Sequence, residues 1–219
     1  MKRVKLIVAY DGTNYHGWQV QNNGVTIESM LNDALKDLTG EDIRVQHSCE
    51  VPMDFHPRYQ DTVKTYEYRI LNREFPLPAH RLNAHFTYRS LNEARMRQAA
   101  EYLIGEHDFQ SFCAAGAQVK STVRTIYDLN VCRDGDLLTI RITGNGFLYH
   151  MVRIIAGTLM KVGCGEWEPA YMREILDARD RAKAGPTAPA KGLTLLEIYY
   201  PNFEKDVDMQ GIVSYNIKL

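Results

Sequence analysis

The sequence predicts an α+β fold with antiparallel sheet, and three observations carry that prediction. Segments with two-residue alternation, such as "TVKTYEYRIL" at 62–71, recur along the chain, as strands require when successive side chains point to opposite faces. One pair of them, "TVRTIYDLNVCRDGDLLTIRITG", folds back on the turn signal "RDGD", which specifies a hairpin and so antiparallel pairing. Other segments place apolar residues three and four apart, the spacing that gives a helix one buried face. Strands joined by hairpins and interrupted by helices belong to the α+β class rather than to a parallel βαβ array.

Taken in order, "RVKLIVAY" is a strand that runs into the glycine-punctuated loop "DGTNYHGWQ". Thr26 is placed to cap a helix whose apolar positions are Ile27, Met30, Leu31, Ala34, Leu35 and Leu38. From Ile43 to Val51 a second strand alternates Ile43, Val45, His47, Cys49 and Val51 with Arg44, Gln46, Ser48 and Glu50. "TVKTYEYRIL" then sets Lys64, Tyr66, Tyr68 and Ile70 on one face, with Val63, Thr65, Glu67, Arg69 and Leu71 on the other. "EFPLPAHR" is a two-proline connector. "SLNEARMRQAAEYLIG" carries a capping box, Ser90 with Glu93, and Gly105 is placed to end its helix. After the hairpin, "GFLYHMVRIIAGTLMKVG" reads as a helix closed by Gly163, "PAYMREILDARD" as a shorter helix, "AGPTAPAKG" as a loop and "LTLLEIYY" as the last strand. The expected division is 1–61, 62–203 and a loosely held tail at 204–219.

With 219 residues, 45% of them hydrophobic, the chain can fill substantial cores. Its apolar runs are too short for a signal segment or a membrane span, so a cytoplasmic protein is expected. Four cysteines, at 49, 113, 132 and 164, show no paired spacing and read as reduced thiols. The net charge of −1 gives no global sign of a nucleic-acid binder. Locally, however, Arg58 to Arg97 holds eight Lys and Arg against four acids, with aromatics interleaved.

Candidate chemistry falls at three places. In "EDIRVQHSCEVP", alternation separates Glu50 from His47 and Cys49, which leaves two ligands where zinc needs at least three from the protein, and no metal is expected. Arg153 lies in a helix apolar on almost every side, and a guanidinium cannot shed its charge to escape burial. It either pairs with an anion or snorkels to solvent. Tyr66 and Tyr68 share a strand face with Lys64, an arrangement that suits base stacking beside a phosphate contact and equally suits a simple core.

The segments "YDGTNYHGWQVQ", "FHPRYQDTVKTYEYRI", "VRTI", "GNGFLYHMVRIIAGTLMKVG" and "TAPAKGLTLLEIYYP" occur in the order and spacing of the tRNA pseudouridine synthase A family, and this resemblance covers nearly all of the chain to about residue 203. It implies two RRM/ferredoxin-like subdomains with antiparallel sheets. It also implies a cofactor-free homodimeric isomerase that converts uridine to pseudouridine in the tRNA anticodon stem-loop. By the same resemblance, Tyr66 matches the tyrosine that packs on the target base and Arg153 matches the arginine that pairs with the catalytic aspartate; Arg58, Lys64 and neighbouring basic groups are the candidates for further RNA contact. One family block is missing. Nothing in the chain matches the Arg-Thr-Asp-Ala-Gly-Val-His-Ala segment that carries the nucleophilic aspartate, so "EDIRVQHSCEVP" resembles a seam that shortens the first subdomain. Asp11 and Asp54 are the nearest carboxylates in sequence, but neither inherits the role by motif. The expectations are therefore a synthase that uses Tyr66, Arg153 and an unidentified carboxylate, a non-catalytic tRNA-binding remnant, or a remnant that folds poorly.

Overall fold

The computed structural model describes residues 3–9, 24–27, 29–31, 44–51, 56, 60–117 and 119–201, with the backbone alone at 3–9 and 44–51. Two compact units divide the chain, Met1–Gln60 and Asp61–Leu219, and the architecture is α+β. In the first unit, β1 (Arg3–Ala9) pairs antiparallel with β2 (Arg44–Val51). The register runs Arg3 opposite Val51 to Ala9 opposite Arg44, with an irregularity between Ile7 and Val8. The stretch that reads as a seam thus forms a strand for eight residues, with the irregularity at Gln46. Thr26 opens a helical turn as expected: its Oγ1 accepts from the Ser29 amide (3.3 Å), while its own amide donates to Ser29 Oγ (3.1 Å). This is a reciprocal cap with serine in the place of the usual Glu or Gln. The expected apolar positions Ala34, Leu35 and Leu38 lie outside the described residues.

In the second unit, β3 (Val63–Asn72), β4 (His85–Thr87), β5 (Gly105–Asp108), β6 (Val123–Asp134), β7 (Leu137–Gly144) and β8 (Leu193–Tyr199) form one sheet in the order β4-β3-β7-β6-β5. β8 shares an edge of β3 with β4: it faces Val63 to Tyr68, whereas β4 faces Ile70 to Asn72. Every pair is antiparallel except β3–β4, which corrects the purely antiparallel expectation. The two-proline connector after β3 holds a 3-10 turn, Pro78–His80, and it returns the chain to the level of Ile70, where β4 starts alongside the last residues of β3, as a parallel pair demands. The hairpin forms as expected, with Asp134 opposite Leu137 and Gly135 at φ 56°, where a side chain would be strained.

Three helices, α1 (Glu93–Glu101), α2 (Met151–Gly163) and α3 (Tyr171–Ala178), join the sheet in one apolar core. Tyr68, Ile70, Val131, Ile140 and Ile142 from the strands meet Met96, Ile154, Ile155, Leu159, Met172 and Ile175 from the helices. Burying each large side chain contributes about 1.5–3 kcal/mol. Gly163 lets α2 approach α1, since a Cβ there would lie 2.7 Å from Met96 Sδ.

Four boundaries depart from the sequence expectation. α1 is capped by Asn92, whose side chain accepts from the Arg95 amide, rather than by Ser90. The Leu91 amide is held by Asn72 Oδ1 and the Asn92 amide by the Gly163 carbonyl, so the chain stays extended until that point. Gly105, expected to end the helix, instead opens the unforeseen strand β5 at φ 104°. α2 begins at Met151 rather than in "GFLYH", because His150 adopts a left-handed backbone, φ 59°. Its C-terminus is closed by Gly165, at φ 80°, whose amide donates to Val162 while the Glu166 amide donates to Lys161. This is a Schellman pairing two residues beyond the expected Gly163.

Candidate active site

β3 supplies Tyr66 and Tyr68 on its core-facing side, as the alternation predicts. Tyr68 is fully buried, and its hydroxyl donates to the Pro189 carbonyl at 2.7 Å. Burial pushes its phenol well above the ordinary tyrosine range, and the nearby positive charge of Arg153 only partly opposes this. The phenol is therefore a fixed neutral donor at any physiological pH. Tyr66 is half-buried and meets Phe147 edge to face, with ring centroids 5.2 Å apart. Phe147 sits in "GNGF", the loop after β7, which is tied to β6 by reciprocal bonds: the Thr125 amide donates to Asn145 Oδ1 (2.9 Å) and the Asn145 amide to the Thr125 carbonyl (3.1 Å). This gives the "VRTI" segment a physical task, which is to set the loop that holds the aromatic beside Tyr66.

Arg153 projects from the first turn of α2 and is half-buried. Its Nε donates to the Ala188 carbonyl at 2.6 Å, and the Ala188 amide donates back to the Arg153 carbonyl at 3.1 Å. Among the described residues, no carboxylate forms an ion pair with it. The sequence presented two outcomes for Arg153, an anionic partner or solvent, and the structure supplies a third, a backbone carbonyl.

The 184–192 loop explains why "TAPAKG" and the helix belong together. Ala188 and Pro189 present adjacent carbonyls to Arg153 and Tyr68, so one dipeptide bridges α2 and β3. Close backbone approach makes this arrangement possible: a Cβ at Gly157 would lie 1.8 Å from the Pro186 carbonyl oxygen, and one at Gly192 would lie 2.8 Å from the Tyr68 ring. Thr158 Oγ1 accepts from the Gly185 amide (2.9 Å) and donates to Ile154 (2.8 Å), which fixes the other end of the loop.

Of the residues singled out in the sequence, Tyr66 and Arg153 sit on neighbouring elements, Tyr66 against Phe147 and Arg153 bonded to Ala188, with Tyr68 bonded to the adjacent Pro189. Lys64 is half-buried at the start of the same strand, opposite Gly144. Arg58, Asp11 and Asp54 lie outside the described residues. Sequence reasoning gave no role to Phe147, Ala188 or Pro189, and could assign none, because two of the three act through backbone carbonyls. The local surplus of cations at 58–97 is largely neutralised. Arg69 pairs with Glu67, Arg73 with Asp136, Arg89 with Glu166, Arg95 with Glu168 and Arg97 with Glu93, so most of that basic run serves the fold. Among the described residues, no helix is long and apolar enough to cross a membrane.

The described site is thus a tyrosine and an arginine on neighbouring elements of an α+β sheet, with glycine-assisted backbone packing beside them. A family model described as tRNA pseudouridine synthase matches residues 99–201. The chain is 38% identical over 244 residues to a tRNA pseudouridine synthase A of Acetivibrio thermocellus, 40% over 245 to one of a Thermoanaerobacter species and 42% over 245 to one of Brevibacillus brevis. Each comparison takes in 91% of this chain and 100% of the relative. The chain belongs to the tRNA pseudouridine synthase A family.

Proposed function

We propose that this protein is a tRNA pseudouridine synthase, which receives a uridine of the anticodon stem-loop at Tyr66 and Arg153, acts in the cytoplasm as a homodimer, and contacts RNA further through Arg58 and Lys64. The observation that carries the reading is that Tyr66, set against Phe147, and Arg153, bonded to Ala188, sit on neighbouring elements of a chain similar throughout to proteins of that name. The reaction breaks a glycosidic C–N bond, turns the base and rejoins it through carbon. An aromatic ring holds the base in plane during the turn, and a guanidinium supplies fixed positive charge beside a carboxylate nucleophile.

A second reading, tRNA binding without turnover, is favoured by a specific observation. Arg153 bonds to a carbonyl and, among the described residues, to no carboxylate. The alignments fit this reading, since 244 aligned residues that take in the whole of the Acetivibrio protein use only 91% of a 219-residue chain, so the relative carries residues that this chain lacks. Tritium release from tRNA labelled at uridine C5, measured beside binding of the anticodon stem-loop, separates the two readings. Release supports the synthase and assigns the nucleophile to a carboxylate of this chain. Binding without release supports the second reading, and absence of both rejects the function.

A further inference from the structure

The loop that carries Phe147 continues through Leu148 and Tyr149 to His150 before α2 begins. Tyr149 and His150 stack nearly parallel, with ring centroids 4.0 Å apart and an interplanar angle of 26°. Tyr149 is nevertheless 53% exposed, so one face of its ring is covered by imidazole while the residue remains open to solvent. An exposed aromatic by itself needs no explanation, and Tyr88, at 74% exposure, has no ring partner among the described residues. Tyr149 differs because its position is fixed. Its carbonyl accepts from the Ala114 amide at 3.0 Å, and His150 is held in the left-handed backbone region, φ 59° and ψ 10°. Non-glycine residues enter that region sparingly and persist there when surrounding structure imposes it. Burial first, and then the charge of Arg153, lowers the pKa of the His150 imidazole from its ordinary value.

We infer that Tyr149, backed by His150, is a stacking platform for a base adjacent to the target uridine. The inference rests on the tRNA reading above and adds a second contact to it. Tyr149 follows Phe147 by two residues, so their Cα atoms are at most about 7 Å apart, and Phe147 touches Tyr66. The platform therefore shares one short loop with the aromatic that touches Tyr66. A ring already stiffened by a parallel neighbour loses little freedom when a base covers its other face, and stacking of this kind is tolerant of base identity.

The test uses the full chain and an anticodon stem-loop RNA with 2-aminopurine next to the target uridine. Binding of the parent should quench the fluorophore, whereas Tyr149→Ala should bind on the order of tenfold more weakly and leave it bright, and Tyr149→Phe should behave as the parent. Replacing the neighbouring nucleotide with an abasic one should abolish the difference between parent and Tyr149→Ala, which a merely structural role of Tyr149 would not do. The platform is refuted if Tyr149→Ala binds like the parent while Tyr66→Ala is weakened, or if its deficit persists on the abasic RNA. A parent that binds no RNA overturns the platform together with the tRNA reading.

Discussion

The two sides of β3 treat a semi-buried charge in opposite ways. On one side Glu67, its side chain 6% exposed, is held between two guanidinium groups, Arg69 Nε at 2.7 Å and Arg141 Nη2 at 3.0 Å. Burial alone would raise its carboxyl pKa, but the hydrogen bonds from Arg141 and then Arg69 more than offset this and leave it below the ordinary 4.5. On the other side Arg153 lies near Tyr68 with a carbonyl partner and, among the described residues, no counter-ion. A charge closed into a network on its own sheet is structural. One whose partner among the described residues is a carbonyl has capacity for a further anion, and that contrast is what makes the Arg153 side the proposed site.

The largest change should come from supplying the family's aspartate segment. Inserting the Arg-Thr-Asp-Ala-Gly-Val-His-Ala block, with its flanking strand and helix, should raise tritium release by about a hundredfold or more over the 219-residue chain, because misplacement of a reacting group by about 1 Å already costs that much. Equal rates would mean that Asp11, Asp54 or another carboxylate already serves. Next, Gly157→Ala should cost about 2–3 kcal/mol in denaturant unfolding, since its Cβ meets the Pro186 carbonyl and must push the loop off α2. A loss well under 1 kcal/mol would show that the loop is not held by this contact.

Glu67→Gln should cost about 2 kcal/mol, less than a fully buried pair, because Arg141 is 57% exposed and its attraction is screened. With its folded pKa depressed, Glu67 contributes stability that is complete above about pH 4.5 and is lost as the pH falls through the folded value. The melting temperature of the parent should therefore drop more steeply below pH 4.5 than that of Glu67→Gln, and parallel curves would remove the triad from the argument. Tyr66→Ala should weaken stem-loop binding by about 1–3 kcal/mol and Tyr66→Phe hardly at all, as losing one stacked base predicts. Smallest is Arg153→Met, read by thermal melting, at about 1 kcal/mol of lost stability for one hydrogen bond to Ala188. The half-exposed position and the carbonyl partner remove the large desolvation penalty that an apolar helix alone suggests for this arginine. A clear gain in stability on Arg153→Met would restore that penalty.

By itself the sequence determined the α+β class, the Thr26 cap, the β6–β7 hairpin and the face of β3 that carries Tyr66 and Tyr68, because each of these depends on residues within a few positions of one another. The order of quoted motifs also marked the family, since such a composite has little chance of arising otherwise. Only the tertiary structure decided what long-range hydrogen bonds decide. Asn72 displaced the helix cap from Ser90 to Asn92, and β5 formed at Gly105 because β6 offered it an open edge. Likewise, the parallel β4 was invisible in any local pattern. The partner of Arg153 is a backbone carbonyl 35 residues away, and a carbonyl is common to every residue, so no side-chain signature in the sequence marks it.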